Sequence, residues 1–208
     1  MNETSNGSVS VNRADSSGNN NTLTDNNTVA SIIGRLANAA DFVRSRSEYF
    51  SIADSAQTGL DLTPPFSIAF WVNYDTSGST DGTLGKGNSL TQYSYQIYRR
   101  SSSPYKMTIK LSANGTSATS FDSDSGIPAG SWNHVAVVVN GNTVNWYLNG
   151  TSNNAQPGSW TSALYNSSLP FVLGDRASGD GSRIDGKLDE VRIYNRALTA
   201  GEISALAK

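Results

Sequence analysis

The chain has 208 residues, a formal net charge of −2 and no cysteine. That length is one large or two small domains; the near balance of charge excludes the basic footprint of a nucleic-acid binder, and the lack of Cys removes disulfides, thiolate nucleophiles and Cys-ligated zinc. No stretch approaches the roughly 18 to 20 continuous apolar residues of a bilayer span, and the polar start "MNETSNGSVS" has no apolar signal core, so the chain reads as soluble or as the mature part of an exported protein.

Asn, Ser, Thr and Gly are abundant while Lys and Glu are few, a profile of extracellular β-rich proteins. N-x-S/T sequons occur at Asn2, Asn6, Asn20, Asn26, Asn114, Asn149 and Asn166; in so Asn- and Ser-rich a chain several arise by chance. The polar, turn-rich stretch to about residue 35 has no helical period and reads as loop with one or two edge strands. Residues 1–14 form a polar N-terminal segment and 15–208 one domain, without internal repeat or linker.

Half-buried strands then follow in chain order. "AADFV" (39–43) and "EYFSI" (48–52) precede "FSIAFWVNY", where Phe66, Ile68, Phe70 and Val72 share a face. "GTLGK" (82–86), "YSYQIYR" (93–99), "YKMTIKL" (105–111) and "TSATSF" (116–121) are further strands. "WNHVAVVV" and "TVNWYLN" flank the tight-turn signal "NGN" and make an antiparallel hairpin. "PFVLG" (170–174) and "KLDEVRIY" (187–194) complete the set. One helix is expected at the end: Thr199 and Glu202 spell a capping box, with Leu198 and Ile203 as its hydrophobic staple. Many short strands between Gly, Asn and Ser turns predict an all-β sandwich or barrel.

Catalytic patterns are scarce. Glycosidases need two carboxylates flanking the bond they cut, and the four Glu residues, at 3, 48, 190 and 202, stand in no such pattern. Asp122 and Asp124 fall in "FDSDSG", which reads as a turn. His134 has no recognisable nucleophile or further metal ligands around it and reads as a packing or hydrogen-bonding residue. "GTLGKGNS" lacks Walker-A spacing, so it reads as a hairpin loop with Lys86 an exposed charge. Aromatic rings interleaved with polar groups suit sugar binding, because the C–H face of a pyranose packs on a ring. Tyr93 and Tyr95, expected on one face with Ile97, and Trp160 and Tyr165 in the polar loop "PGSWTSALYNSS" are the candidate ligand contacts, with core packing the alternative for each.

"SWNHVAVVVNGNTVNWYLNGT" (131–151), "PFVLGD" (170–175) and "DGKLDEVRIYNRALTAGEI" (185–203) resemble the laminin-G-like jelly-roll domains of the concanavalin A-like lectin/glucanase superfamily. "DSSGNNNTLT" (15–24) and "ANAADFVRSRSEYFSIAD" (37–54) are similar to that family's opening loop and first strands. The resemblance implies an antiparallel jelly-roll β-sandwich, with a concave and a convex sheet, ending in a short helix. Its members bind glycans, mediate adhesion or recognise proteins, and other branches cleave polysaccharides, so fold alone names no function. In one departure, "NGSVSVNRA" is short and polar where the family has an apolar strand.

The resemblance also implies a structural Ca²⁺ held by an Asp on the last long strand and by the opening loop, here Asp189 with Asp15 and Asn19, hard oxygen donors of the kind Ca²⁺ takes. Strict alternation along "LDEVRIY" puts Asp189 on the core-facing side with Val191 and Ile193, and Glu190 with Arg192 and Tyr194 on the other. The rival reading is that Asp189 only accepts from backbone amides of the opening loop. The expected function is a non-catalytic recognition module of a secreted or cell-surface protein, with a glycan or glycoprotein surface as partner and no nucleic acid or membrane insertion. The alternative is a structural subunit that assembles with copies of itself.

Overall fold

In the computed structural model, residues 12–88, 91–141, 143–153, 158–177 and 180–208 are described. Most of the polar N-terminal segment, with the sequons at Asn2 and Asn6, lies outside them, as does Asn142 of the hairpin turn.

The alternating segments become the strands β1 (Asn12–Arg13), β2 (Leu23–Asn26), β3 (Ala30–Ile33), β4 (Asn38–Phe42), β5 (Tyr49–Ile52), β6 (Phe66–Tyr74), β7 (Asp81–Lys86) and β8 (Tyr93–Arg99). They continue as β9 (Lys106–Gly115), β10 (Thr119–Gly126), β11 (Asn133–Val139), β12 (Val144–Leu148), β13 (Thr151–Ser152), β14 (Phe171–Leu173) and β15 (Gly186–Tyr194), followed by the helix α1 (Ala200–Leu206). Two antiparallel sheets result. One runs β1-β2-β5-β14-β7-β8-β9-β10, the other β13-β12-β11-β6-β15-β4-β3. Their facing sides form the core, where Phe66, Ile68, Phe70 and Val72 of β6 meet Leu84, Tyr95, Ile97 and Ile109 of the other sheet. Burying such side chains contributes roughly 1.5 to 3 kcal/mol each before entropy is charged against it.

The hairpin pairs β11 with β12 in the register Val139↔Val144, closed by the Asn140 amide donating to the Thr143 carbonyl at 2.9 Å. The helix begins on the complete capping box between Thr199 and Glu202. Leu198 and Ile203 seat it on Ala69, Ala136 and Val138 of the seven-stranded sheet's outer face.

Three expectations are corrected. "FDSDSG" is strand, because β9 and β10 pair through Asp122↔Thr108 and on to Gly126↔Lys106. Lys86 is fully buried: its ammonium donates to Asp54, Asp61 and the Ser167 carbonyl, each at 2.5 Å, so it ties three loops to β7. Asp189 does not share a face with Val191. The register between β15 and β6 shifts between Asp189 and Arg192, and Glu190 sits at φ 48°, a bulge that inserts one residue and reverses the alternation. Asp189 therefore lies opposite Trp71, on the outer side of the sheet, while Leu188 points into the core.

Candidate ligand cleft

β15 pairs with β6 as far as Tyr194 but with β4 only as far as Leu188. Beyond the bulge, its second edge borders a cleft of about 540 Å³. Leu23, Leu60, Phe171, Leu173, Val191 and Ile193 make an apolar floor, and Asp15, Ser17, Asn19, Asn21 and Thr58 a polar rim. Leu23, Val191 and Ile193 are only partly buried against the core, so their remaining surface faces the opening.

The rim is built by short-range hydrogen bonds. The Asp15 carboxylate accepts from the Ser17 amide and hydroxyl at 2.8 Å and from the Asn21 amide at 2.9 Å, which folds the loop on itself. Partial burial pushes the Asp15 carboxyl up, but those donors outweigh it and hold the group below its ordinary value. Asn21 then clamps the loop to its neighbour: its side chain donates to the Thr58 carbonyl at 2.8 Å and accepts from the Thr58 amide at 2.7 Å. Behind the rim, the buried Arg13 guanidinium pairs with Asp25 at 3.1 Å and donates to the Val29 carbonyl at 2.7 Å. Asn19 is exposed on this fixed loop.

The residues expected to hold calcium do not meet there. Asp15 and Asn19 lie at the rim, whereas Asp189 is fully buried beneath the turn before β4. Its carboxylate accepts from the Leu36 amide at 2.8 Å and from the Glu190 amide at 2.8 Å, and a Cβ at Gly34 would come within 2.5 Å of Oδ2, so only glycine lets the turn approach. Burial raises the Asp189 carboxyl's pKa and those amide donors oppose the rise. Among the described residues, no three His, Cys, Asp or Glu side chains converge as metal ligands do. Asp15, Asn19 and Asp189 thus do not fit one shared Ca²⁺ site. Asp189→Ala is expected to cost about 2 to 4 kcal/mol, because two partly buried amides lose a charged acceptor. Melting with excess chelator and with added Ca²⁺ checks the account: the loss should be equal in both, and a loss confined to the Ca²⁺-loaded protein contradicts it.

The candidate ligand aromatics are dispersed. Tyr95 is fully buried in the core with its hydroxyl donating to the Leu60 carbonyl at 2.9 Å. Tyr93 does not join Tyr95 in the core cluster: its hydroxyl donates to Gln96 on the outer side at 2.7 Å. Trp160 packs edge-on to Phe121 with centroids 6.4 Å apart and belongs to the core cluster. Tyr165 is half-buried and lies over Gly115. None of the four lines the cleft. His134 is buried against Trp71, edge-on at 5.4 Å. Burial, with a smaller push from Arg192, lowers its pKa to about 4, so it is a neutral packing residue at neutral pH.

The Concanavalin A-like lectin/glucanases superfamily model for laminin-G-like domains matches residues 44–204, more than half of the chain. A comparison with curated proteins gives no match. Among solved structures, domain 4 of an extracellular arabinanase from Geobacillus stearothermophilus, in complex with arabinotriose, superposes with TM-score 0.66 at 23% identity over 87% of this chain and 82% of that one. The binding domain of Paraclostridial Mosquitocidal Protein 1 gives TM-score 0.74 at 16% identity over 96% of this chain and 51% of that one. The binding domain of Botulinum neurotoxin DC, in complex with rat synaptotagmin II, gives 0.70 at 15% identity over 93% and 48%. The chain spans about half the length of these toxin domains, and at such identities the likeness is one of fold. With the jelly-roll sandwich, the terminal capped helix and the matched family model in agreement, the chain belongs to the laminin-G-like family of the concanavalin A-like superfamily.

Proposed function

We propose that the chain is a non-catalytic glycan-binding module of an extracellular or cell-surface protein, with the cleft beside β15 as its binding site. The observation that carries this reading is an apolar floor beneath a rim of hydroxyl, amide and carboxylate groups held in place by the Asp15 and Asn21 hydrogen bonds. A sugar ring presents the complementary pattern, with C–H groups for the floor and hydroxyls for the rim. The volume is within the usual range for small-ligand sites, about 300 to 1,000 Å³. The fold likeness to an arabinanase domain crystallised with arabinotriose supports the ligand class.

The carboxylates support a role without chemistry. Glu48 accepts from the Val43 amide, Glu190 pairs with Arg192, and Glu202 caps the helix and pairs with Arg196. Asp122 pairs with Arg100 and accepts from Thr108. The cleft itself is lined by two carboxylates, Glu190, engaged by its salt bridge, and Asp15, engaged by the Ser17 and Asn21 donors. Among the described residues no helix is long and apolar enough to cross a membrane.

A glycan array followed by calorimetry on the hits tests the proposal. Neutral oligosaccharides should bind, and Asn19→Ala, which removes an exposed rim amide, should weaken them about fivefold, as for one lost hydrogen bond, with an unchanged melting temperature. No released reducing sugar is expected. Absence of any hit, or binding indifferent to Asn19→Ala, counts against the cleft; turnover counts against a non-catalytic role.

One observation favours the second reading, self-assembly. Among the described residues, no strand pairs with β15 on its β4 side beyond Leu188, and the backbone groups there could take another strand. Sizing across a hundredfold range of concentration separates the two, since only assembly gives concentration-dependent growth.

A further inference from the structure

The outer face of the eight-stranded sheet gathers cationic and amide donors. Cross-strand pairing sets Gln96 beside Lys110, and Tyr98 beside Thr108, on one face. Across β7, Gly85 pairs with Gln96 and leaves room for the loop after β14: a Cβ there would stand 2.7 Å from the Arg176 carbonyl oxygen. Seated in that space, the loop holds the Arg176 guanidinium 4.8 Å from the centre of the Tyr98 ring. The Lys110 ammonium lies 5.7 Å from the same centre.

The balance of these groups is uneven. Arg176 pairs with Asp180, and Arg100 pairs with Asp122. Lys110 is half-buried, and its ammonium takes part in no hydrogen bond or ion pair among the described residues. Burial lowers its pKa, and Arg176 and Arg100 press it the same way, with Asp180 only partly opposing them. Below it, Gln96 is 1% exposed; its oxygen accepts from Tyr93, but its amide nitrogen has no partner. A buried donor without an acceptor costs about 1 to 3 kcal/mol, and a cation held among cations is poorly placed unless an anion joins it.

We propose that this face is a second binding site, separate from the cleft, for an oxyanion carried on a sugar: a uronate carboxylate or a sulfate, received by Lys110 with Arg176 and Gln96. An oxyanion supplies the acceptors that Lys110 and Gln96 lack, and its charge offsets the crowding of Lys110 by the two arginines. Lys110, Arg176 and Gln96 are not among the residues that line the cleft, so the two sites can fail independently.

Calorimetry of the full chain with oligogalacturonate, with sulfated dextran oligomers and with their neutral counterparts tests the site. At least one acidic ligand should bind ten times more tightly than its neutral form or better, with affinity falling as salt rises; which acid does so identifies the anion. Lys110→Gln should remove at least fivefold of that affinity, Lys110→Arg should retain it, and the cleft variant Asn19→Ala should leave it unchanged. Thermal melts of both Lys110 variants confirm that they fold. Equal binding of acidic and neutral oligomers, or acidic binding untouched by Lys110→Gln in a folded protein, overturns the proposal.

Discussion

Asp81→Ala is expected to be among the most damaging single changes in this chain, costing about 3 to 5 kcal/mol, as when one partner is taken from a buried ion pair. Both Asp81 and Arg99 are fully buried. Arg99 donates to Asp81 from Nε at 2.9 Å and from a second nitrogen at 2.6 Å, and also to the Ile127 carbonyl at 3.2 Å and the Thr76 carbonyl. Arg44 approaches Asp81 from the opposite side, and the Tyr74 ring lies 3.9 Å beneath the Arg99 guanidinium. Burial pushes the Asp81 carboxyl up while the arginines pull it down. Without the carboxylate, Arg99 is a buried cation whose remaining acceptors among the described residues are neutral carbonyls. Urea denaturation of Asp81→Ala and of the double variant Asp81→Leu/Arg99→Met measures this: the double variant should be the more stable of the two, because it also removes the fully buried Arg99 charge, while the partly exposed Arg44 loses Asp81 in both. A single variant within 1 kcal/mol of the wild type contradicts the assignment.

Tyr95→Ala is expected to lose a similar amount, about 3 to 5 kcal/mol, because it empties a large, fully buried site in the core. Tyr95→Phe isolates the hydroxyl, which donates to the Leu60 carbonyl at the floor of the cleft; its removal should cost about 1 to 3 kcal/mol. Near-ultraviolet circular dichroism and melting of both variants check the ranking. If Tyr95→Ala melts like the wild type, the ring is not core and the expectation that it contacts ligand is restored.

Tyr95 also shows where sequence reading stops. Period-2 alternation located β6 and β8 to the residue, and the capping box located α1, because these signals depend on neighbours in the chain. Asp189 was expected on one face with Val191 because alternation assumes no bulge; the shift after Asp189 depends on the partner strand and has no local signature beyond the positive φ taken by Glu190. Lys86 was misread for a related reason. Its three acceptors come from residues 54, 61 and 167, contacts that only the closed sandwich creates. The cleft was half legible: Asp15 and Asn19 stood out as oxygen donors, but their place opposite the end of β15 follows from β4 ending its pairing at Leu188. For the outer face, Gly85 lay within the expected strand "GTLGK", with no local mark as the seat of the Arg176 loop.

The most direct measurement of the central claim is chemical-shift mapping of isotope-labelled protein titrated to saturation with a neutral oligosaccharide selected on the array. Glycan binding in the cleft predicts that amides of residues 15–21, 58–60 and 190–194, which border it, shift together with one dissociation constant. Saturable shifts confined to other surfaces, with these three segments unmoved, would contradict it.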